Sequence, residues 1–224
     1  MDALALGTPK RLDLKSQAIV LLALLIVYAS NWWPTTPVRV VALQALHLTT
    51  YERWGIFLPH LLLYSTIMAA LSGVLWIALA SAGWLPRPPL GNLRQSVMPG
   101  VVGGLLALIC AVLTALAFFP PGTVRWIDPN PWAITGNIFS NFYEEFVWRG
   151  FLLLGLRELV GFWPAAVITS ASWAVVHTQY PLAGQVLVFA IGIGFAWLVR
   201  VSRSLWAPYI AHEVLDILAD SLIG

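Results

Sequence analysis

The sequence predicts an all-α membrane protein, a polytopic bundle of about seven transmembrane helices. Composition is the first observation: 59% of the 224 residues are hydrophobic, 10% are charged, and the mean hydropathy is +0.82. Soluble globular domains carry about 25% charged residues, so the composition excludes a soluble globule. The second observation is that the apolar residues form runs of roughly 20 residues, the length that a helix needs to cross a bilayer.

Seven apolar runs meet this length criterion. They cover about residues 17–35, 58–84, 97–119, 134–156, 162–180, 183–201 and 204–222. Proline-rich connectors at 86–92 and 120–131 end the helices before them, because proline lacks the backbone N–H that a helix interior requires. The sequence contains no internal repeat that we can detect, so we expect one transmembrane domain over residues 1–224.

Two N-terminal segments allow alternatives. The run 17–30 follows three basic residues, a pattern shared by signal peptides and first transmembrane helices. We interpret it as an uncleaved helix, because the aromatic residues that flank its end are typical of a membrane interface. The segment 38–54 is apolar but interrupted by Gln44 and Glu52, so we expect an interfacial helix, with an eighth crossing as the alternative.

The distribution of Lys and Arg predicts a cytoplasmic N-terminus, because cytoplasmic loops hold the excess of positive charge. With seven crossings the cytoplasmic set is Lys10, Arg11, Lys15, Arg87, Arg94, Arg157, Arg200 and Arg203, and the outer set is Arg39, Arg53 and Arg125. The net charge of +2 and the scattered basic residues argue against a nucleic-acid partner. The single cysteine, Cys110, excludes a disulfide framework within the chain.

Charged residues interrupt the run 134–156 in the stretch NFYEEFVWRGFLL. One charge at the bilayer centre costs about 2.5–3.5 kcal/mol on insertion scales, so these side chains need partners. Glu145 and Arg149 stand four residues apart, the spacing of an intrahelical ion pair. Glu144 has no predicted charge partner and lies on a polar stripe of the helix with Ser140 and Asn141. Such a stripe can join helices, but an unpaired intramembrane glutamate favours a functional role.

The later runs add polar groups. His177 ends an apolar run, and a histidine there can be either a hydrogen-bonded packing residue or a functional residue. His212 and Asp216 share one face of the last run, with Asp220 one turn further, while Glu213 points elsewhere. The string HEVLD lacks the second histidine of the HExxH zinc helix, so it is weak evidence for zinc.

Three motifs in order resemble one family: EEFVWRG, WAVVH and SLWAPYIAHEVLD. The chain resembles the intramembrane proteases named after CAAX-prenyl proteases and bacteriocin-processing enzymes, the CPBP or Abi family, whose pattern is EExxxR, FxxxH and HxxxN or HxxxD. The resemblance covers residues 134–220, the expected catalytic core. It implies a protease that cleaves a membrane-associated peptide or protein within the lipid bilayer, and it favours a bacterial inner membrane.

Roles follow from the resemblance residue by residue. It implies that Glu144 is the catalytic base, that Glu145 and Arg149 are a supporting pair, and that His177 is the partner of the base. His212 and Asp216 would bind the water or the developing oxyanion.

Two positions depart from the commonest pattern of the family. Trp173 replaces the usual Phe, a change of bulk near the site. Asp216 replaces the Asn of many members, and an ionised carboxylate cannot donate to an oxyanion. We therefore expect Asp216 to orient His212 or to accept from water.

Excluding other nucleophiles leads to the same reaction, the hydrolysis of a peptide bond. The chain has no GxSxG motif and no reactive cysteine setting, so a water activated by a glutamate is the expected nucleophile. A zinc site built from Glu144, His177, His212 and Asp216 is the alternative. We expect no metal, because no single helix carries two histidines at metal-binding spacing.

Two other functions fit parts of the pattern. Intramembrane Glu, His and Asp also mark proton-coupled transporters, although these often have repeated halves, which the sequence lacks. A noncatalytic immunity or scaffold protein could keep the same fold. The complete set of expected catalytic residues argues against that alternative.

Overall fold

The structure is a computed structural model that describes residues 12–31, 57–128 and 131–223. The expected interfacial segment 38–54 lies outside the described residues. The described chain is helical and contains no strand, and its one β-bridge joins Val124 to Ile223. The all-α fold class is therefore confirmed.

The helices follow the predicted runs closely. They are α1 Leu14–Asn31, α2 Phe57–Ser81, α3 Leu93–Phe118, α4 Pro131–Glu144, a π-helical segment Glu145–Leu152, α5 Leu153–Val160, α6 Phe162–Val176, α7 Leu182–Ser202 and α8 Trp206–Leu222. Helix α3 begins four residues before the predicted start, because the side chain of Asn92 caps it by accepting from the Gln95 backbone N–H at 3.4 Å. Helix α6 ends four residues before the predicted end.

Two described helices, α3 and α7, are long and apolar enough to cross a membrane. Three shorter apolar helices cover Leu14–Ser30, Thr66–Ser81 and Phe162–Val176. One side of α3 exposes large apolar side chains such as Leu106 and Leu113, a surface that suits contact with lipid. The apolar helices are those of a membrane protein, while the count of seven crossings stays a prediction.

Helix α3 packs on α8 through glycines. A Cβ atom added to Gly104 would lie 2.6 Å from the carbonyl oxygen of Ala211, and one added to Gly100 would lie 2.9 Å from that of Ala207. Small residues four apart let two helix backbones approach closely in membranes. This close packing fixes the position of α8.

The π-helical segment differs from the continuous α-helix expected over 134–156. The backbone N–H of Leu153 bonds to the carbonyl of Trp148, five residues earlier, as in a π-helix. Gly150 gives room to the ring of Trp76, since a Cβ atom there would lie 2.7 Å from that ring. Trp76, Trp148 and Phe151 are fully buried, so this widened segment runs through the hydrophobic core.

The described residues of the two predicted connectors are not helical, except that Pro131 at the end of the second begins α4. Two backbone carbonyls of the first connector accept hydrogen bonds. Trp76 of α2 donates through Nε1 to the Pro86 carbonyl at 2.7 Å, and Ser204, just before α8, donates through Oγ to the Leu90 carbonyl at 2.9 Å. In the second, the Arg125 N–H bonds to the carbonyl of Leu222 at 2.9 Å. The connectors thus hold both ends of α8.

Candidate active site

The four predicted catalytic side chains line one cavity of about 380 Å³. They are Glu144 from α4, His177 after α6, and His212 and Asp216 from α8. The wall formed by α3 and α7 is mostly apolar and includes Ala111, Ala115, Leu187, Val188 and Ile191. Packing of the helices therefore brings together groups that are distant in the sequence.

Glu144 is the last residue of α4 and lies partly exposed at the cavity. The indole Nε1–H of Trp173 donates a hydrogen bond to its Oε2 at 2.8 Å. No other hydrogen bond to this carboxylate occurs in the part of the chain that the structure describes. One oxygen of Glu144 is thus held, while the carboxylate still borders the cavity.

Glu145 joins the π-helical segment to α8. Its Oε1 lies 2.9 Å from Nδ1 of His212, and its Oε2 lies 3.6 Å from Nε of Arg149. The expected pair of Glu145 with Arg149 is present, but the shorter contact is with His212, because α8 packs beside the π-helical segment. Glu145 therefore contacts both the supporting arginine and a candidate catalytic histidine.

Arg149 is fully buried beneath an aromatic ring. Its Cζ lies 4.1 Å from the centroid of the Trp173 ring and 5.8 Å from that of Phe195. Among the described residues, its guanidinium nitrogens have no hydrogen-bond acceptor. The charge is thus balanced by the carboxylate of Glu145 and by contacts with the ring faces.

His177 directly follows α6, and its Nδ1 lies 2.7 Å from the carbonyl oxygen of Trp173. A carbonyl oxygen only accepts, so Nδ1 carries the hydrogen and the neutral ring keeps its lone pair on Nε2. Tyr180 stacks on the imidazole at 6.0 Å between centroids, and Trp173 meets it edge to face at 4.9 Å. Backbone and rings therefore determine both the tautomer and the orientation of His177.

His212 lies between two carboxylates. While its Nδ1 faces Glu145, its Nε2 lies 3.7 Å from Oδ2 of Asp216. The Asp216 side chain is 31% exposed, whereas that of His212 is 6% exposed. Near the end of α8, Asn137 donates through Nδ2 to Asp220 at 3.1 Å and links α8 to α4. Each nitrogen of His212 thus has a carboxylate within ion-pair distance.

The contacts of the two histidines bear on the zinc alternative. Among residues 12–31, 57–128 and 131–223, no group of three or more His, Cys, Asp and Glu side chains is placed to hold a metal ion. The Nδ1 atoms of His177 and His212 already face Trp173 and Glu145. These contacts leave Nε2 of each ring, and a metal-binding histidine usually donates its other N–H to a carboxylate or a carbonyl, so the choice between zinc and a metal-free reaction stays a prediction.

Sequence reasoning missed two contributions to the site. The sequence predicts that Trp173 affects the site through its size, but its indole N–H also donates a hydrogen bond to Glu144. Tyr180 lines the cavity and stacks on His177, three residues before it, but an isolated tyrosine gives no distinct signal in a sequence. The hydrogen-bonding capacity of a tryptophan within the second motif was the one available signal. Glu213 does not line the cavity, in agreement with its expected direction.

Two comparisons place this region among known proteins. The family model described as "Type II CAAX prenyl endopeptidase Rce1-like" matches residues 126–218, which include all three motifs. A Bacillus subtilis (strain 168) protein named "Putative membrane peptidase YdiL" is 29% identical over 83 residues, 37% of this chain and 33% of that relative. The matched part thus spans a third of the relative's length. No solved structure matches.

Proposed function

We propose, from the membership of residues 126–218 in the CPBP family of membrane peptidases, that this protein hydrolyses a peptide bond of a membrane-associated peptide or protein. The observation that carries the proposal is the cavity shared by Glu144, His177, His212 and Asp216. A carboxylate that costs free energy in a membrane is there combined with two oriented histidines. The proposal includes seven crossings, a cytoplasmic N-terminus and a bacterial inner membrane.

Glu144 acts as the general base in the first step. Its carboxylate takes a proton from a water molecule in the cavity, while Nε2 of His177 accepts a hydrogen bond from the other O–H. The water oxygen attacks the carbonyl carbon of the scissile bond, and the electron pair of the C=O π bond moves to the carbonyl oxygen. A positioned group of this kind accelerates such a reaction by about 10²–10⁴-fold.

His212 stabilises the oxyanion that forms. As an imidazolium, His212 donates through Nε2–H to the oxyanion, while its Nδ1–H donates to Glu145, which holds the ring in place. Asp216 orients His212 from the cavity side, since a carboxylate cannot itself donate to the oxyanion. When the intermediate collapses, the C–N electron pair moves to the nitrogen, which takes the proton from Glu144. One water molecule is consumed, and a carboxyl group and an amine are released.

The test is cleavage of a panel of membrane-anchored peptides by the purified protein in detergent, with His212→Ala as the variant. We expect wild type to release a new N-terminus and His212→Ala to be about 10²–10³ times slower, the loss typical of one oxyanion donor. A protein that cleaves no peptide but moves protons into proteoliposomes would favour the transporter alternative. Equal cleavage by both forms would contradict the role of His212.

A chelator tests the metal-free mechanism separately. We expect cleavage by wild type to persist after dialysis against a strong chelator, because the proposed steps use only side chains and water. Loss of cleavage on chelation, with recovery on adding zinc, would overturn this part of the proposal. His177→Ala provides a control that must lose activity in either case.

A further inference from the structure

Trp173 lies at the centre of the candidate active site. Its indole is 2% exposed and contacts four other side chains of the candidate site. It donates to Glu144 at 2.8 Å and covers the Arg149 guanidinium at 4.1 Å. The rings of His177 and His212 meet it at centroid distances of 4.9 and 5.5 Å.

We infer that Trp173 is a positioning residue for Glu144, whose carboxylate it holds through the indole N–H. The inference rests on the proposed function, in which Glu144 is the base. A phenylalanine, which the family pattern has at this position, is a smaller aromatic residue and has no hydrogen-bond donor. This chain therefore holds its base by a bond that the commonest form of the motif cannot make.

The need for such a bond follows from the position of Glu144. The residue ends α4 beside the cavity, and within the described chain its carboxylate has no other hydrogen bond. A flexible side chain at a cavity edge samples several rotamers, and few of them direct the carboxylate at a bound water. With Oε2 held by Trp173, Oε1 is the oxygen that takes the proton.

The indole is itself held through a ring face, while its N–H donates from the ring edge. Arg149 lies beneath the ring, and Gly192 of α7 leaves room for the guanidinium, since a Cβ atom there would lie 3.2 Å from Nη2. A guanidinium stacked on an indole face is favourable in a buried site. The order of contacts from Arg149 to Trp173 to Glu144 thus connects the supporting residue to the base.

The two hydrogen-bond partners of Trp173 use different parts of it. Glu144 accepts from the side chain, whereas His177 donates to the backbone carbonyl at 2.7 Å. Replacing the side chain therefore removes the bond to Glu144 and retains the backbone bond to His177. This separation makes the inference testable by a single substitution.

The experiment compares Trp173→Phe with wild type on one verified membrane-anchored substrate. We expect kcat to fall about 10- to 100-fold, the rate equivalent of one hydrogen bond to a charged group, and KM to stay within about twofold. The matched control is Trp76→Phe, which loses an equally buried indole bond, to the Pro86 carbonyl at 2.7 Å, away from the cavity. We expect this control to keep its kcat.

A second variant tests the inference if Trp173→Phe fails to fold. Site-specific incorporation of 3-benzothienylalanine at position 173 replaces the N–H by sulfur and keeps the two fused rings. We expect the same loss of kcat, and a wild-type kcat in this variant would overturn the inference. Glu144→Gln in the same assay separates the two claims: if it is inactive while both Trp173 variants are fully active, only the role of Trp173 is wrong.

Discussion

Oε1 of Glu145 lies 2.9 Å from Nδ1 of His212, and this contact joins the π-helical segment to α8 within the core. Both residues are almost fully buried. The same carboxylate faces Arg149 at 3.6 Å. Glu145 therefore lies between His212 and Arg149, two groups that can carry positive charge.

Replacing Glu145 by Ala should destabilise the protein strongly. Breaking a buried ion pair leaves the other charge uncompensated, at a cost of about 3–5 kcal/mol in the free energy of unfolding. The measurement is thermal unfolding in detergent. The double variant Glu145→Ala and Arg149→Met should recover part of the loss, because no unpaired charge remains. An unchanged unfolding temperature in the single variant would show that the pair has no structural role.

A methyl group at position 192 should disturb the site through Arg149, which stacks on the Trp173 ring. In Gly192→Ala the new Cβ atom would lie 2.9 Å from the side chain of Ser170 and 3.2 Å from Arg149, so both must shift. We expect a loss of about 1–3 kcal/mol in the free energy of unfolding, as for other overpacked sites, together with slower cleavage.

Gly194→Ala is the matched control on the same helix, because a Cβ atom there meets nothing within 4 Å. Alanine is also the better helix former, so this variant should be as stable as wild type or slightly more stable. Equal behaviour of the two variants would contradict the close packing of α7 on Arg149.

Filling the cavity from α3 should slow cleavage without unfolding the protein. Ala115 is buried and lines the cavity wall, and Ala115→Leu would place three extra carbon atoms towards the space in which a substrate would lie. We expect cleavage to fall about tenfold, the rate equivalent of 1.4 kcal/mol. The measurement is kcat/KM on the substrate used above.

The control for added bulk is Ala117→Leu, two residues further along α3 on its exposed side. This side suits lipid, so a leucine there should affect neither stability nor cleavage. If Ala115→Leu cleaves like Ala117→Leu, then the cavity does not receive the substrate.

Much of the fold could be predicted, because hydrophobic runs of transmembrane length report helices directly. The described helices overlap the seven predicted runs, and the four candidate catalytic residues line one cavity. The spacing of His212 and Asp216 on one helix face was readable from the sequence, since it depends only on helical geometry.

Other features depend on packing between helices and were not predictable. The π-helical segment beginning at Glu145 makes long-range contacts, such as that between Gly150 and Trp76, which the sequence does not specify. The bonds from Glu145 to His212 and from Trp173 to Glu144 span 67 and 29 residues. Hydropathy specifies which residues enter the bilayer, but not the rotation of each helix about its axis.

The measurement that tests the central claim most directly is the cleavage rate of Glu144→Gln on a verified membrane-anchored substrate. Glutamine keeps the size of the side chain and an oxygen that can accept from Trp173, but it cannot take a proton from water. The matched control is Glu158→Gln, a buried carboxylate of α5 at 3.4 Å from Arg157 that does not line the cavity.

We predict that Glu144→Gln folds like wild type and cleaves about 10²–10⁴ times more slowly, while folded Glu158→Gln cleaves at nearly the wild-type rate. Cleavage by Glu144→Gln at the wild-type rate would contradict the assignment of Glu144 as the catalytic base.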